Sequence, residues 1–352
     1  MFTACPSPDL QRRRWLAAAP ALGLLASPAL RAQARLERPR VTLAVGGLAT
    51  LYYLPLILAR QLHYFDDEGL SVDLQDHPGG GPAEQAMVSG HADLVAGAFE
   101  HTVVLRQRGI NCRAFALLGR APQVVMGVGG PALPEFRDAR QLRGLRVGIS
   151  AADSATQWFA RMVLARAGVG ADEVRWVGVG TGAAAVAALQ EGRIEAIANV
   201  DPVISRLEFR AQIRVIADAR SLRGTQQLYS GPMPGGCLYA PQGFVLRYPN
   251  TVQALANAIV RALKWLQTAG PSDIVRAVPE SAMSGDRAIY LSALDKVREA
   301  FSPDGLISEP AVMTAHELVA RHVPAAAPVR APAPATTYTN EFAQRAKLRY
   351  GA

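Results

Sequence analysis

Two similar stretches of sequence decide the fold: PGGGPAEQAMVSGHAD at residues 78–93 and GTGAAAVAALQEGRIE at residues 180–195, an offset of 102. Each contains a glycine-rich loop, an alanine-rich helical pattern and a Gly-x-x-acid ending. A glycine directly after a helix supplies the positive φ that is wanted at its C-terminal cap. Each stretch also lies between two apolar strand patterns. We therefore predict a structural repeat, with chance similarity between two alanine-rich helices as the alternative.

The sequence around the repeat alternates strand and helix. From residue 41 onward, short apolar strand patterns are separated by helical patterns, and a second copy of the first strand begins at residues 145–149. Alternation of this kind favours α/β folds with a mostly parallel sheet. From Tyr239 onward the pattern is helical, with one helix expected from Val252 to Gln267. We predict an α/β protein with two lobes of similar build that meet at a cleft.

Composition excludes several classes of protein. Half of the 352 residues are hydrophobic (50%), which is enough for a large core and rules out disorder over the whole length. There are 37 basic and 29 acidic residues, so the net charge is +8. Four arginines lie within the first 34 residues, and no basic stripe with interleaved aromatic residues follows. No nucleic-acid partner is predicted.

Residues 1–34 have the pattern of a cleavable export signal. Arginines at residues 12–14 precede an apolar stretch at residues 16–30, and Ala-Gln-Ala at residues 32–34 places small residues where a signal peptidase cleaves. The apolar stretch is too short to cross roughly 30 Å of hydrocarbon as a helix. We predict cleavage after Ala34 and a periplasmic location. Arg-Arg-x-Trp-Leu resembles a twin-arginine signal. The general secretory route is one alternative, and an amphipathic start to the fold is another.

Two cysteines, Cys112 and Cys237, remain in the mature chain. In an oxidising compartment they either form a disulfide or stay as single buried thiols. Their separation in space is not set by the sequence, so both alternatives stay open.

Common catalytic and metal-binding motifs are absent. The chain has no complete Walker A motif and no Gly-x-Ser-x-Gly, and its six histidines lack metal-ligand spacing. Gly178-x-Gly180-x-Gly182 resembles a dinucleotide fingerprint only loosely, and the repeat explains it better. Glu100-His101 resembles a catalytic pair, but the helix dipole alone favours a glutamate at a helix start. No catalytic residue, metal or cofactor is predicted.

Polar loops follow corresponding strands in the two halves. Ser150–Thr156 follows a strand and opens a helix, where free amides and hydroxyls suit an acidic or accepting group. Ordinary helix capping by Asp153 or Ser154 is the alternative. Asn199–Asp201 follows another strand, and Asp201 is predicted either to face a ligand or only to cap its helix.

Several segments resemble one family. PLILARQLHYFDDEGLSV at residues 55–72 is similar to an opening helix followed by Gly-Phe-Phe-x-x-Glu-Gly-Leu-x-Val, with His-Tyr-Phe replacing Gly-Phe-Phe. The other similar segments are residues 78–81, 90–93, 142–148, 201–202 and 241–249. The chain thus resembles the periplasmic solute-binding proteins of the SsuA/THI5-like (NMT1-like) family, whose members bind sulfonates, nitrate, taurine or thiamine precursors. The resemblance covers roughly residues 41–270, and a weaker similarity is present at residues 338–346.

The resemblance implies a type II periplasmic binding fold, with two α/β lobes that close on a ligand by a hinge. Residues 35–128 and 235–352 would form the first lobe with its C-terminal helices, and residues 129–234 the second. It also implies a small organic ligand of the sulfonate, pyrimidine or aromatic or organic acid type. An ABC permease and its ATPase in the inner membrane would receive that ligand from a monomeric binding protein.

The resemblance further places the ligand among the loops that border the cleft. The residues expected to bind it are Leu48, Ala49, Tyr52, Tyr53, Gly79, Gly80, Gly81, Phe99, Glu100, Ser150, Asp153, Ser154, Ala155, Thr156, Asn199 and Asp201. The aromatic members offer flat walls for a ring or a short aliphatic body. The carboxylates of Glu100 and Asp201 would repel a small bare anion such as nitrate.

Two other function classes stay open. One relative in the family is an enzyme that builds a thiamine pyrimidine and consumes its own active-site histidine, but its cysteine-rich motif is absent here. That absence favours a binding protein without turnover. The alternatives are an enzyme on the same scaffold, resembling a pyrimidine synthase or a dehydratase, and a periplasmic sensor module.

Overall fold

Ten β-strands build two five-stranded sheets in the described part of the chain. In chain order they are β1 (Arg40–Gly46), β2 (Ser71–His77), β3 (Leu94–Ala98), β4 (Cys112–Leu117), β5 (Val125–Gly129), β6 (Arg146–Ile149), β7 (Arg175–Gly178), β8 (Ala196–Asn199), β9 (Ile213–Asp218) and β10 (Gly236–Pro241).

The structure is a computed structural model that describes residues 1–3, 35–130, 132–283, 285–323 and 333–352. Contacts within the chain divide it into Met1–Arg35 and Leu36–Ala352. The fold and the site described below belong to Leu36–Ala352. The predicted export signal and its cleavage site lie outside the described residues.

The two sheets have the same strand order. The first is β2-β1-β3-β10-β4 and the second is β7-β6-β8-β5-β9. In each sheet one strand, β10 or β5, runs antiparallel to both of its neighbours, while the other paired strands are parallel. Because β5 joins the second sheet and β10 joins the first, the chain passes between the lobes twice, after β4 and after β9. The predicted two-lobe α/β architecture is confirmed.

Helices cover the faces of these sheets. In chain order they are α1 (Leu54–Gln61), α2 (Tyr64–Asp67), α3 (Gly80–Val88), α4 (Glu100–Gln107), α5 (Ala155–Arg166), α6 (Ala183–Gln190), α7 (Val203–Phe209), α8 (Leu222–Tyr229), α9 (Gln242–Arg247), α10 (Pro249–Thr268), α11 (Pro271–Ala277), α12 (Glu280–Met283), α13 (Arg287–Val297), α14 (Glu309–His322) and α15 (Glu341–Tyr350). Within the described ranges, no helix combines the length and the apolar content needed to cross a bilayer.

The predicted repeat is confirmed in its details. The glycines that follow α3 and α6 have φ angles of 79° and 67°, as a left-handed cap requires. The acid at the end of each copy then binds a backbone amide of the corresponding strand in its own lobe, β1 or β6. Asp93 Oδ2 accepts the amide of Thr42 in β1 at 3.0 Å, and Glu195 Oε2 accepts the amide of Arg146 in β6 at 2.8 Å.

Three predictions about the elements need correction. The predicted lobe boundary between residues 128 and 129 falls inside β5, which belongs wholly to the second sheet. The expected mostly parallel sheet is a mixed one in each lobe. Tyr239, predicted to begin a helical region, lies within β10. Short, fully buried strands such as β5 and β10 carry no alternation of polar and apolar residues, so periodicity alone cannot distinguish them from buried helix.

The C-terminal helices contact both lobes. Helix α14 packs against α4 of the first lobe and α5 of the second, and α13 packs against α7. Lys296 on α13 lies 2.7 Å from the carboxylate of Glu208 on α7. Strand β10 thus lies in the first sheet, whereas α13 and α14 contact elements of both lobes.

Both cysteines are free and buried. Cys237 lies opposite Leu117 and Cys112 lies opposite Pro241, at the two ends of the β4–β10 pairing. The ladder between them keeps the thiols apart, so the structure has two single buried thiols rather than a disulfide.

Candidate functional site

One cavity lies where the strand ends of both sheets meet. Its walls follow β1, β2 and β3 on one side and β6, β7 and β8 on the other. They comprise Gly46, Thr50, Tyr52, Tyr53, Gly80, Ala98, His101, Val124, Ser150, Ser154, Ala155, Thr156, Thr181 and Val200. The carboxyl ends of parallel strands are where open α/β sheets bind ligands. The cavity volume of about 30 Å³ is comparable to that of one water molecule in the liquid, so an organic ligand enters only when the lobes move apart.

The glycine-rich loop of the first lobe closes directly on the second lobe. The amide of Gly81 donates to Oγ of Ser154 at 3.0 Å. A Cβ atom added to Gly81 would lie 2.1 Å from the carbonyl oxygen of Ala152, which is far inside the van der Waals contact distance. Only glycine therefore permits this approach, and the structure shows the lobes in contact.

A second contact closes the other side of the cavity. The amide of Leu51, in the loop after β1, donates to the carbonyl oxygen of Asp201 at 3.0 Å. The same loop is held in shape by Thr50, whose hydroxyl donates to the carbonyl of Gly47 at 2.8 Å. Each lobe thus contributes one loop to each side of the cavity.

The N-terminus of α5 faces the cavity without a side-chain cap. Ser154 is the capping residue, but it makes no side-chain bond to the helix, because its hydroxyl accepts the Gly81 amide. Oγ of Ser150 and Oγ1 of Thr156 lie 2.8 Å apart beside it. The positive end of the helix dipole and these hydroxyls together form a donor-rich wall. Such a wall suits an acidic or strongly accepting group.

His101 lines the opposite wall. Its side chain is completely buried, and Oε2 of Glu84 lies 2.7 Å from its Nδ1. The ring stacks at a tilt on Trp158, with 4.7 Å between centroids. Nε2 is buried and has no hydrogen-bond partner among the described residues. A Cβ atom on Gly80 would lie 3.2 Å from Nε2, so this nitrogen borders the cavity.

Glu100 is buried beside the cavity and does not line it. Burial raises the pKa of the Glu100 carboxyl to about 7, with the neighbouring His101 acting in the opposite direction. Burial and then the charge of Glu100 raise the pKa of Tyr52.

Asp201 points away from the cavity into an ionic network. Its Oδ1 accepts the amide of Ser205 at 2.7 Å, and its Oδ2 lies 3.4 Å from Arg220. Arg220 is almost completely buried and also binds Asp218 at 2.6 Å and Glu208 at 2.8 Å. In this arrangement Asp201 caps α7, which is the second of the two roles that the sequence allows.

The structure brings together part of the set of residues predicted for the site. Seven of them line the cavity: Tyr52, Tyr53, Gly80, Ser150, Ser154, Ala155 and Thr156. Nine do not line it: Leu48, Ala49, Gly79, Gly81, Phe99, Glu100, Asp153, Asn199 and Asp201.

Several of these nine have other contacts. Gly79 lies against the second lobe, where an added Cβ would be 2.9 Å from the Ala151 Cβ. Asn199 donates to the carbonyl of Gly180 at 2.9 Å and so braces the loop after β7. The Phe99 ring packs edge-on against Tyr338, 6.4 Å between centroids.

Three more of these nine residues are Leu48, Ala49 and Asp153. Leu48 donates its amide to Oδ1 of Asp76 at 2.7 Å, and Ala49 is exposed. Asp153 lies 3.7 Å from Arg108.

Seven lining residues are not among those expected individually: Gly46, Thr50, Ala98, His101, Val124, Thr181 and Val200. Two of them, Thr50 and Val200, nevertheless lie within the loops at residues 48–53 and 199–201 that were expected to line the cleft. The repeat contains a signal for Thr181, because the 102-residue offset aligns it with Gly79. His101 was considered only as a catalytic partner of Glu100. Glu84 lies on α3 and His101 on α4, so sequence spacing does not reveal their contact.

A search of the described residues for metal sites finds no group of three or more His, Cys, Asp or Glu side chains arranged to hold an ion. The polar groups that face the cavity are hydroxyls, backbone amides and one imidazole. This chemistry suits an organic or anionic ligand.

Comparison with known proteins identifies the family. The sequence model of the NMT1-like family matches residues 36–278, which include every residue of the cavity. The chain belongs to the NMT1-like family. A solved structure of a protein from Bordetella bronchiseptica RB50 is 46% identical, covers 90% of this chain and 100% of its own, and superposes with a TM-score of 0.88.

Two further proteins to which this NMT1-like protein is similar have named activities of their own. The alkanesulfonate-binding protein SsuA from Xanthomonas axonopodis pv. citri, solved with MOPS bound, has a TM-score of 0.67 at 18% identity over 87% of this chain and all of its own. That likeness confirms the two-lobe periplasmic binding protein fold. The 4-amino-5-hydroxymethyl-2-methylpyrimidine phosphate synthase of Schizosaccharomyces pombe is 26% identical over 110 residues, which are 31% of each chain.

Proposed function

We propose that this protein is the exported substrate-binding component of an ABC importer, and that it captures a small organic solute between its lobes. The observation that carries the proposal is the cavity itself, because the strand ends of both sheets and the two hydrogen bonds between the lobes converge on it. The similarity to a MOPS-bound alkanesulfonate-binding protein supports the same role. The ligand would pass to an inner-membrane permease and its ATPase.

The lining of the cavity supports a ligand with two kinds of surface. The donor-rich wall at α5 suits an acidic or strongly accepting end. Tyr52 and Tyr53 are buried and packed edge-to-face, with 4.9 Å between ring centroids, and they offer an apolar wall for a ring or a short chain. Sulfonates, pyrimidines and aromatic or organic acids are the ligand classes that combine these features.

A thermal-shift screen across these ligand classes, followed by small-angle scattering, tests the proposal. A ligand that binds only the folded protein raises its apparent stability by mass action. We expect at least one organic acid or pyrimidine to raise the Tm. The same compound should also make the open protein in solution more compact, because hinge closure brings the lobes together. Saturation by a compound without any change in the scattering profile would contradict the proposed closure.

The match to the yeast pyrimidine phosphate synthase favours one second candidate, an enzyme on the same scaffold. A binding protein returns its ligand unchanged after prolonged incubation, whereas an enzyme converts it. Mass spectrometry of the recovered ligand separates the two. Conversion that disappears in Glu100→Ala would replace the transport proposal with the enzymatic one.

A further inference from the structure

We propose that Gln123 holds the two lobes apart in the ligand-free protein. Its side-chain amide is buried without a hydrogen-bond partner when the lobes are in contact, and it is hydrated when they separate. Gln123 lies in the first of the two segments that cross between the lobes, residues 118–124, and residues 219–235 form the second. The inference rests on the proposed function, because it names the residue that opposes the closure by which a ligand is captured.

The two crossing segments are paired with each other at both ends. At the end nearest the first lobe, the amide of Gly235 donates to the carbonyl oxygen of Gly119 at 2.8 Å. At the end nearest the second lobe, the amide of Gln123 donates to the carbonyl oxygen of Ala219 at 3.0 Å, and the amide of Ala219 donates to that of Val124 at 3.0 Å. These bonds extend the β4–β10 pairing at one end and the β5–β9 pairing at the other. Movement of one lobe against the other therefore falls on the residues between them.

The side chain of Gln123 reaches back from the second of these pairings to the first. Its Nε2 lies against Gly119, where an added Cβ would be only 3.0 Å away. The carbonyl oxygens of Ala300 and Ala121 lie 3.3 Å and 3.6 Å from the same point, yet Nε2 donates to neither of them. Oε1 also lacks a partner among the described residues. The amide thus lies between the two points of the hinge that turn against each other when the lobes move.

This position of Gln123 is costly in the closed protein. The residue is 1% exposed, and a buried amide that forms no hydrogen bond loses those that it forms with water. In the part of the chain that the structure describes, no other side chain has two buried polar atoms that both lack a partner. The backbone adds to the cost, since a φ of 56° lies in the left-handed region that long side chains rarely adopt. Conformations of this kind cluster at switch regions, where the surrounding structure enforces them.

A cost at the hinge has a use in a protein that captures ligands between its lobes. The two hydrogen bonds between the lobes favour the closed state with or without a ligand. The closed cavity of about 30 Å³ does not admit an organic ligand, so a protein that stayed closed would capture none. Gln123 opposes these bonds from the hinge, and the next residue, Val124, lines the cavity. The ligand then supplies the free energy that closes the lobes.

The first test replaces Gln123 with methionine in the full mature protein. Gln123→Met keeps the length of the side chain and removes both polar atoms, so burial in the closed state no longer leaves an amide unpartnered. In small-angle scattering, the radius of gyration of the ligand-free variant should be smaller than that of the wild type. The Kd of a compound from the thermal-shift screen should fall by up to about 10-fold, since less of its binding free energy is used to close the lobes.

The second test changes the cost in the opposite direction. Gln123→Glu keeps the shape of the side chain and adds a charge, and a buried carboxylate costs more free energy than a buried amide. The Kd of the same compound should therefore rise at least about 10-fold, while the ligand-free protein stays as open as the wild type. Gln61→Met and Gln61→Glu are the matched controls, because Gln61 is exposed at the end of α1. Both controls should scatter and bind like the wild type.

Circular dichroism and the Tm show whether each variant is folded, and Gln123→Leu, which is also apolar, replaces Gln123→Met if the latter does not fold. A ligand-free Gln123→Met that is no more compact than the wild type overturns the inference. So does a higher Kd in Gln123→Met, because the amide would then stabilise the closed state. The scattering comparison needs no ligand, so it decides the inference even if no compound in the screen binds. That failure would count against the proposed function instead.

Discussion

Gly81→Ala should prevent full closure of the lobes while leaving each lobe folded. The added Cβ would lie 2.1 Å from the carbonyl oxygen of Ala152 and 3.2 Å from the carbonyl carbons of Ala152 and Asp153. All three are backbone atoms of the second lobe, so no flexible side chain relieves the clash. The lobes would have to separate by about 1 Å to restore an ordinary carbon–oxygen contact. That movement also lengthens the bond from the Gly81 amide to Ser154.

The cost of this substitution falls on the closed state. Overpacking costs about 1–3 kcal/mol, and the hydrogen bond contributes about 1 kcal/mol, so closure loses about 2–4 kcal/mol. The Kd of any ligand that requires closure should rise about 30-fold to 1,000-fold. Gly81 lies within α3 and its φ is not positive, so alanine fits the local backbone and the Tm of the ligand-free protein should not fall.

Calorimetric titration and small-angle scattering with a ligand from the screen provide the assay. The matched control is Gly182→Ala, because Gly182 occupies the corresponding loop of the second lobe and an added Cβ there would meet no atom within 4 Å. We expect the control to bind and compact like the wild type. If Gly81→Ala also binds and compacts like the wild type, the glycine contact is not required for closure and the reasoning fails.

Three more predictions follow from burial, charge and the signal pattern. The pKa of Glu100 is raised from 4.5 to about 7 by burial, so the stability that its neutral form contributes is present below about pH 4.5 and lost as the pH rises through 7. At 1.36 kcal/mol per pKa unit the loss of stability is about 3 kcal/mol. Glu100→Gln should remove this pH dependence from the free energy of unfolding, measured in urea between pH 4.5 and 8. Arg220→Met should destabilise the protein by about 3–5 kcal/mol in the same assay, because it leaves three carboxylates in the network without their shared cation; Arg223→Met is the matched control on the neighbouring helix. Mass spectrometry of protein recovered from the periplasm should give a mature N-terminus at Arg35, and an intact Met1 in the cytoplasm would contradict both the export signal and the transport role.

The repeat made the fold predictable from the sequence. A glycine cap after α3 and α6 and the acid three residues later report on local geometry, because they satisfy backbone requirements within a few residues. The two antiparallel strands were harder, since β5 and β10 reach their sheets by crossing between lobes. Nothing within a short buried run indicates which sheet it joins or in which direction. For this reason the lobe boundary was placed a few residues too late.

The site was predictable where local sequence creates the chemistry. Ser150, Ser154 and Thr156 surround a helix start, and a strand–loop–helix pattern is visible in the sequence. Asp201 has the same local pattern, but its side chain contacts Arg220, 19 residues later in the chain, instead of facing the cavity. The distinction between a cap and a ligand contact therefore depends on tertiary packing. His101 was considered only as a catalytic partner of Glu100, because its place in the cavity wall also depends on tertiary packing.

Binding and closure in this molecule should be one equilibrium. A ligand shifts the balance between open and closed lobes only by its difference in affinity for the two states. Tyr52 and Tyr53 belong to the first lobe, while Ser150 and Thr156 belong to the second, so a single ligand contacts both walls only when the lobes are closed. A substitution that blocks closure should therefore weaken every ligand that spans both lobes. Thr156→Val should weaken only a ligand with an acidic or accepting end, because it removes a hydroxyl from the donor-rich wall, and this difference distinguishes loss of closure from loss of recognition at that wall.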